Sequence, residues 1–442
     1  KPHVRFDEEG LGFAQPFTLV CLSLHFVLEI GGSNMMAELQ SVQAQHITRT
    51  KPLSQGLVLL MAVSCGLAVA NLFYIQPLLG DIGRTFHASA EKIGFVSMLT
   101  HIGYAIGMLL FIPLGDIKER RNMIAVLLVV VGISLIGVAS AQNLLWMYIA
   151  SFAVGITTIT PQMIVPLAAQ LALPEVRGKV IGNVMSGLFI GILLARTVSG
   201  FVGAMFGWRA MYAIAAAMMF VLAYVLWRQL PRTYPATALS YGQLMRSLVS
   251  LIAQQRTLRE ASLIGALSFG AFSVFWTALT FYLEGPHYNY GSEVAGLFGL
   301  VGVVGVIAAA YSGRLSDKVS PARLVGCALI TVCISYLIFG LLGMTIWGLI
   351  IGVIILDLGV QGGQVSNQAR IYSILPEARS RLNTVYMVTY FTGGAIGSSL
   401  GSYAWSLWGW GGVCVVGGSM SLLAFIIWFV NYMTDKKRSA SL

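Results

Sequence analysis

The sequence predicts an all-α membrane protein made of two six-helix bundles related by an internal repeat. Three observations carry that expectation: a composition too apolar for a water-facing surface, apolar blocks of membrane-spanning length, and short strings that recur at one offset. Of 442 residues, 57% are hydrophobic and 10% charged, whereas a soluble chain carries about 25% charged residues. Water is therefore not the main solvent of this chain.

The apolar blocks of the first half lie at roughly 57 to 79, 93 to 114, 123 to 140, 144 to 165, 180 to 205 and 209 to 228. Those of the second half lie at roughly 261 to 283, 294 to 313, 323 to 342, 345 to 367, 382 to 405 and 411 to 432. The expected organisation is an extension at residues 1–53, a bundle at 54–228, a cytoplasmic linker at 229–260, a second bundle at 261–434 and a cytoplasmic tail at 435–442. The 49 glycines suit such a chain, because small residues let helix backbones approach where no hydrophobic force drives them together.

Orientation follows from the retention of Lys and Arg in cytoplasmic loops. Clusters fall in every second loop: Lys118, Arg120 and Arg121; Arg177 and Lys179; Arg228 to Arg259; Arg314, Lys318 and Arg323; Arg370, Arg379 and Arg381; and Lys436 to Arg438. The opposite loops hold Arg84, Lys92 and Arg209. Both ends of the bundle are thus expected in the cytoplasm, and the net charge of +10 reports topology. A nucleic-acid partner would want the bases on one soluble face, not one cluster per loop.

Cys21, Cys65, Cys327, Cys333 and Cys414 lie mostly within apolar blocks and show no metal-type pairing. The polar loops carry no nucleophile triad, phosphate-binding glycine loop or ligand run, and they are too short for a catalytic domain. An enzyme is disfavoured, and neither cofactor nor metal is expected. In the extension, the run Phe17 to Leu28 is too short to span a bilayer. Asp7, Glu8 and Glu9 precede it where a signal peptide needs positive charge. The reading is a disordered or partly non-native extension, with an interfacial helix as the alternative.

The repeat is the most specific feature. Leu173-Pro174-Glu175-Val176-Arg177-Gly178-Lys179 returns as Leu375-Pro376-Glu377-Ala378-Arg379-Ser380-Arg381, and Gly207-Trp208 returns as Gly409-Trp410, at the same offset. Asp116 and Asp317 keep nearly that spacing. Each string precedes the fifth helix of its half, and each Gly-Trp separates the fifth from the sixth.

Over residues 54 to 434 the chain resembles the major facilitator superfamily. The family's loop signature after the second helix, G-x-L-x-D-[RK]-x-G-[RK]-[RK], is similar to Ile112-Pro113-Leu114-Gly115-Asp116-Ile117-Lys118-Glu119-Arg120-Arg121, although Ile112, Ile117 and Glu119 depart from it. Gly313-Arg314-Leu315-Ser316-Asp317-Lys318 is the better second copy. The resemblance implies a major facilitator fold and a cytoplasmic gate of Asp116, Arg120, Arg121, Glu175, Asp317 and Lys318. There, carboxylates sit at helix N-termini and bases hold neighbouring helix ends. The bland alternative is that these loop charges are solvated and serve topology alone.

Asn71-Leu72-Phe73-Tyr74-Ile75-Gln76-Pro77-Leu78-Leu79 and Asp357-Leu358-Gly359-Val360-Gln361 resemble the bacterial twelve-helix efflux-type branch. That resemblance implies a monomeric inner-membrane antiporter exporting a small-molecule substrate in exchange for protons. Two departures stand out. Ser151 occupies a position where many drug antiporters have arginine, and Ala195-Arg196-Thr197-Val198-Ser199-Gly200 replaces the pattern G-P-x-x-G-G.

Charges within spans cost about 2.5 to 3.5 kcal/mol at a helix centre on insertion scales. Asp357 lies near the middle of the tenth span and Arg196 in the outer half of the fifth. Two readings of Asp357 stand: a proton or cation site, or a structural ion pair with Arg196. His101 in the second span is a candidate proton relay or a helix–helix hydrogen-bonding group. Asn71, Tyr74, Gln76, Gln361 and Gln364 belong to helices that face the pore in the family, and are either cavity-lining or interhelical glue. Trp276, Phe272 and Tyr282 of the seventh span offer aromatic walls for an apolar or cationic substrate, unless they belong to a lipid-facing or interfacial belt. Pro161 and Pro166 are expected to bend the fourth span.

The expected function is proton-coupled efflux by alternating access. The alternatives are a facilitator or importer of the same fold, and a non-transporting membrane sensor, for which the linker looks too short and irregular to supply an effector module.

Overall fold

The computed structural model describes residues 53–173, 176–233, 240–302, 315, 319–375 and 378–440. The expected extension, apart from its last residue, lies outside them. The first half contains α1 (Gln55–Ala70), α2 (Ile75–Phe86), α3 (Ala90–Ile117), α4 (Arg120–Ala139), α5 (Leu144–Thr157), α6 (Thr160–Leu171), α7 (Arg177–Phe206) and α8 (Trp208–Gln229). After the linker helix α9 (Tyr241–Gln254) come α10 (Arg256–Glu284), α11 (Ser292–Val301), α12 (Pro321–Leu342), α13 (Ile346–Tyr372) and α14 (Arg379–Ala440).

Among the described residues, ten helical stretches are long and apolar enough to cross a membrane. α1–α2 and α5–α6 count as one span each. α14 turns at Gly409 and supplies two passes, and the shorter apolar helix α11 lies where the remaining expected span begins. Large apolar side chains such as Leu145, Leu341, Trp347 and Val415 project outward, as lipid-facing helices require.

The Gly-Trp repeat has a backbone cause. Gly207 (φ 82°) and Gly409 (φ 57°) are the glycines of positive φ among the described residues, and each turns the chain between consecutive spans. That region costs a glycine nothing and strains other residues. A second repeat lies in the packing. A Cβ on Gly191 of α7 would strike the Gly66 carbonyl of α1, and one on Gly397 of α14 would strike the Gly270 carbonyl of α10. Gly187 against Ala62, and Gly393 against Ala266, repeat the approach one turn away. In lipid this close backbone contact replaces the hydrophobic drive that water would supply.

Two spans are discontinuous. Between α1 and α2 the chain tightens: the amides of Asn71, Leu72 and Phe73 donate three residues back, to Ala68, Val69 and Ala70, instead of four. The fourth span breaks at Thr158–Ile159, just before Pro161, which cannot donate an amide hydrogen. The expected bend is therefore a break between two helices, with Pro166 lying inside the second.

The bundle has a near end, which carries Ser54 and the basic loops, and a far end, where α2 meets α3. Among the described residues, the hydrogen bonds and ion pair between the halves lie toward the far end, whereas Tyr104 of α3 packs on Phe391 of α14 at mid-depth and Ile112 lines a small near-end pocket with Thr384. Arg84 of α2 pairs with Glu284 of α10, Thr280 donates to the Gln76 carbonyl at 2.8 Å, and Thr197 donates to the Gly296 carbonyl at 3.0 Å. At the near end α9 contributes. Its capping box, formed by Ser240 and Gln243, starts a 14-residue helix. Leu244 and Leu248 are buried, and the Tyr241 hydroxyl donates to the Leu110 carbonyl at 3.2 Å. The linker is thus more ordered than its sequence suggests.

Candidate central site

The break between α1 and α2 directs Phe73 and Gln76 toward α7, where Arg196 is 3% exposed. The Arg196 Nε–H donates to Gln76 Oε1, and Nη1 reaches the Ile192 carbonyl of its own helix at 3.4 Å. The guanidinium carbon lies 4.1 Å from the Trp276 ring centre, 4.8 Å from Phe73 and 5.7 Å from Phe272. Three aromatic faces thus surround a cation inside the bundle, and cation–π attraction strengthens where water is excluded. Arg196 Nη2 and Trp276 Nε1 are buried without a hydrogen-bond partner.

Asp357 lies on α13, 4% exposed, with Oδ2 buried and unpartnered. It makes no ion pair with Arg196 within 4.0 Å, so the structural-pair reading lacks its contact, although each group feels the other's charge. α11 explains the proximity. A Cβ on Gly299 would sit 2.8 Å from Arg196 Cβ, and one on Gly302 would sit 2.9 Å from Asp357 Oδ2. Two glycines about one turn apart leave room for both charged side chains. Gln361 and Gln364 follow Asp357 at spacings that put all three on one face of α13. Gln361 is half-buried, and Gln364 Oε1 accepts from the Tyr390 hydroxyl at 3.3 Å.

His101 bonds to neither member of this pair, although it feels the charge of Arg196. Its Nδ1 is 3.0 Å from the Ser97 carbonyl, Nε2 is buried and unpartnered, and its ring lies 5.8 Å from Phe269 and 6.1 Å from Phe391. Phe269, Phe272 and Trp276 share one face of α10 and link the histidine's surroundings to those of Arg196. Asn71 turns elsewhere, donating to Met219 Sδ at 3.3 Å, and Tyr74 is buried in the turn beside it.

Of the expected cytoplasmic gate, Glu175, Asp317 and Lys318 lie outside the described residues, as does the side chain of Asp116. Arg120 donates to the Gly115 carbonyl at 3.0 Å and to Gln170 Oε1 at 3.1 Å. Arg121 pairs with Glu119 at 3.8 Å and lies 5.9 Å from the Trp227 ring centre. The contacts of Arg121 stay in its own half.

Sequence reasoning missed Phe73, an aromatic within an apolar block that offered no contrast. It also missed the far-end cluster in which Arg84 binds both Asp81 and Glu284, beside a cavity of about 320 Å³ that Trp405 helps to line. Acidic residues at the ends of the first and seventh spans were the available signal. Among the described residues no group of three or more His, Cys, Asp or Glu is placed to hold a metal ion.

The sequence profile described as Major Facilitator Superfamily matches residues 58–362 and 297–442. The chain is 41% identical over 386 residues to the uncharacterized transporter YgaY of Escherichia coli O157:H7, covering 87% of this chain and 98% of that one. It is 23% identical over 378 residues to a Helicobacter acinonychis protein named "Probable sugar efflux transporter", covering 81% and 90%. Among solved structures, a bacterial homologue of the human lysosomal transporter Spinster, inward-facing and unoccupied, superimposes with a TM-score of 0.69 at 17% identity, covering 85% and 97%.

Proposed function

The chain belongs to the major facilitator superfamily, and from that premise we propose that it exports a small organic solute across a bacterial inner membrane in exchange for protons. It is a multi-pass membrane transporter and not an enzyme. The observation that carries the proposal is the pair of buried, oppositely charged residues Arg196 and Asp357. They lie one on each half, against the same turn of α11, and each keeps a polar atom without a partner. Ionisable groups held inside a membrane at such cost mark substrate and proton pathways.

In this reading the two halves rock about the central site. Asp357 binds the proton when the site faces one side and gives it up on the other. Arg196, Gln76 and Trp276 receive the solute, with Gln361, Gln364 and Tyr74 along the path and His101 as a secondary relay; Asn71, turned to Met219, takes no part. Clustering of Lys and Arg in the near-end loops supports a cytoplasmic near end, and the far-end position of the hydrogen bonds and ion pair between the halves supports a site that opens inward. The loop charges around Asp116 and Asp317 would close the near end in the opposite state. The Helicobacter relative's name supports efflux as the direction.

The test is transport by reconstituted protein of a panel of sugars, amino acids, organic anions and organic cations, with and without an imposed proton gradient. At least one class should move faster with the gradient. Equal rates with and without it would leave a facilitator.

A further inference from the structure

The geometry points to a zwitterionic solute: the central site is built for an apolar α-amino acid, with its carboxylate on Arg196 and Trp276 and its ammonium on Asp357. This rests on the alternating-access reading above and names the substrate class of that same site.

The guanidinium of Arg196 is buried, with Nε committed to Gln76 and Nη1 only weakly to its own helix. Nη2 is free, and the neighbouring Trp276 Nε1 is a second buried donor without a partner. A charged guanidinium donor and a neutral indole donor on neighbouring residues suit the two oxygens of one carboxylate. Asp357 presents the complement, a buried carboxylate oxygen without a donor. Gln361, on the same face of α13, adds an amide oxygen for a second ammonium hydrogen.

The gap between the two charges selects among ligands. Arg196 and Asp357 are too far apart to bond, yet both lie against the stretch of α11 between Gly299 and Gly302. A group carrying both charges on neighbouring atoms completes each in one step. A plain cation would face an uncompensated guanidinium, and a plain anion an uncompensated Asp357. Phe73, Phe272 and Trp276 supply the apolar wall for the side chain. Exchange then has a physical basis, because the ammonium and the proton compete for one carboxylate. The solute binds as the proton leaves, and one positive charge enters per neutral amino acid exported.

The experiment compares ligands that share a body and differ only in charge. Binding of phenylalanine, phenethylamine and 3-phenylpropionate, and of leucine, isoamylamine and 4-methylvalerate, is measured by tryptophan fluorescence on the full chain in nanodiscs without a gradient. The amino acid of at least one series should bind more than tenfold tighter than its amine and its acid. Arg196→Gln should make amino acid and amine equal, and Asp357→Asn should make amino acid and acid equal. Trp276→Phe removes only the indole donor and should weaken the amino acid and acid severalfold while sparing the amine. It serves if a charge variant fails to fold, read then by a melting shift on ligand addition.

An amine or acid that matches the amino acid in both series overturns the inference, as does saturable binding by none of the six. The two readings fail separately. An amino acid that binds as expected but moves without regard to the gradient sinks proton coupling alone, and gradient-driven transport of a plain cation sinks the zwitterion alone.

Discussion

At the scale of single residues, Arg196 and Asp357 were visible in the sequence because a charge inside an apolar block stands out. That they could pair was visible too, but that they stand near each other without bonding was not. That arrangement depends on two glycines of a third helix, Gly299 and Gly302, whose missing side chains cannot be told from any other glycine in the sequence. Removing one partner of a contacting buried pair costs about 3 to 5 kcal/mol. Without a contact within 4.0 Å, Asp357→Asn and Arg196→Gln should each keep most of the folded yield, measured by size-exclusion profile and melting temperature. Single variants that collapse, with recovery in the double variant, would establish a structural pair. Phe73 and the acidic pair Asp81 and Glu284 escaped notice for the opposite reason: their neighbours in sequence resemble them, and only the fold gathers them.

At the scale of elements, the apolar blocks located the spans, and the Gly-Trp repeat located turns that the backbone confirms. Helix ends were less legible, since α10 begins at Arg256, ahead of its apolar block. Hydropathy reports contact with hydrocarbon, whereas a helix continues as long as its backbone bonds are made. The break between α1 and α2 was hidden too, because no proline precedes Asn71 in that span and the turn is stabilised by its packing. The α1–α7 and α10–α14 contacts give a prediction at this scale. Gly191→Leu and Gly397→Leu should each cost about 1 to 3 kcal/mol or more through overpacking. Gly178→Leu, with nothing within 4 Å of its Cβ position, should be tolerated. Melting temperature in detergent checks all three, and equal stability of the three variants would contradict the packing argument.

At the scale of the molecule, the proposed orientation rests on the positive loops, which alternate along the whole chain. The fold adds the site of closure: Arg84 ties α2 to Glu284 of α10 at the far end, a partly exposed pair worth about 1 kcal/mol or less. It also decides where orientation can be probed. Ser292, a loop residue by sequence, is buried against the Gly200 carbonyl, so exposed Gln142 and Ala253 are the better sites. In a cysteine-free background, Gln142→Cys should react with an impermeant maleimide in intact cells and Ala253→Cys should not. The reverse labelling would invert the proposed orientation.

Proton coupling at Asp357 is tested most directly by one comparison in proteoliposomes: gradient-driven transport against equilibrium exchange of the same solute, in wild type and Asp357→Asn. The amide keeps the shape of the side chain and cannot carry the proton. Loss of gradient-driven transport, with exchange retained once the solute is raised to saturate the weakened site, is the expected result. Undiminished gradient-driven transport in folded Asp357→Asn would contradict it.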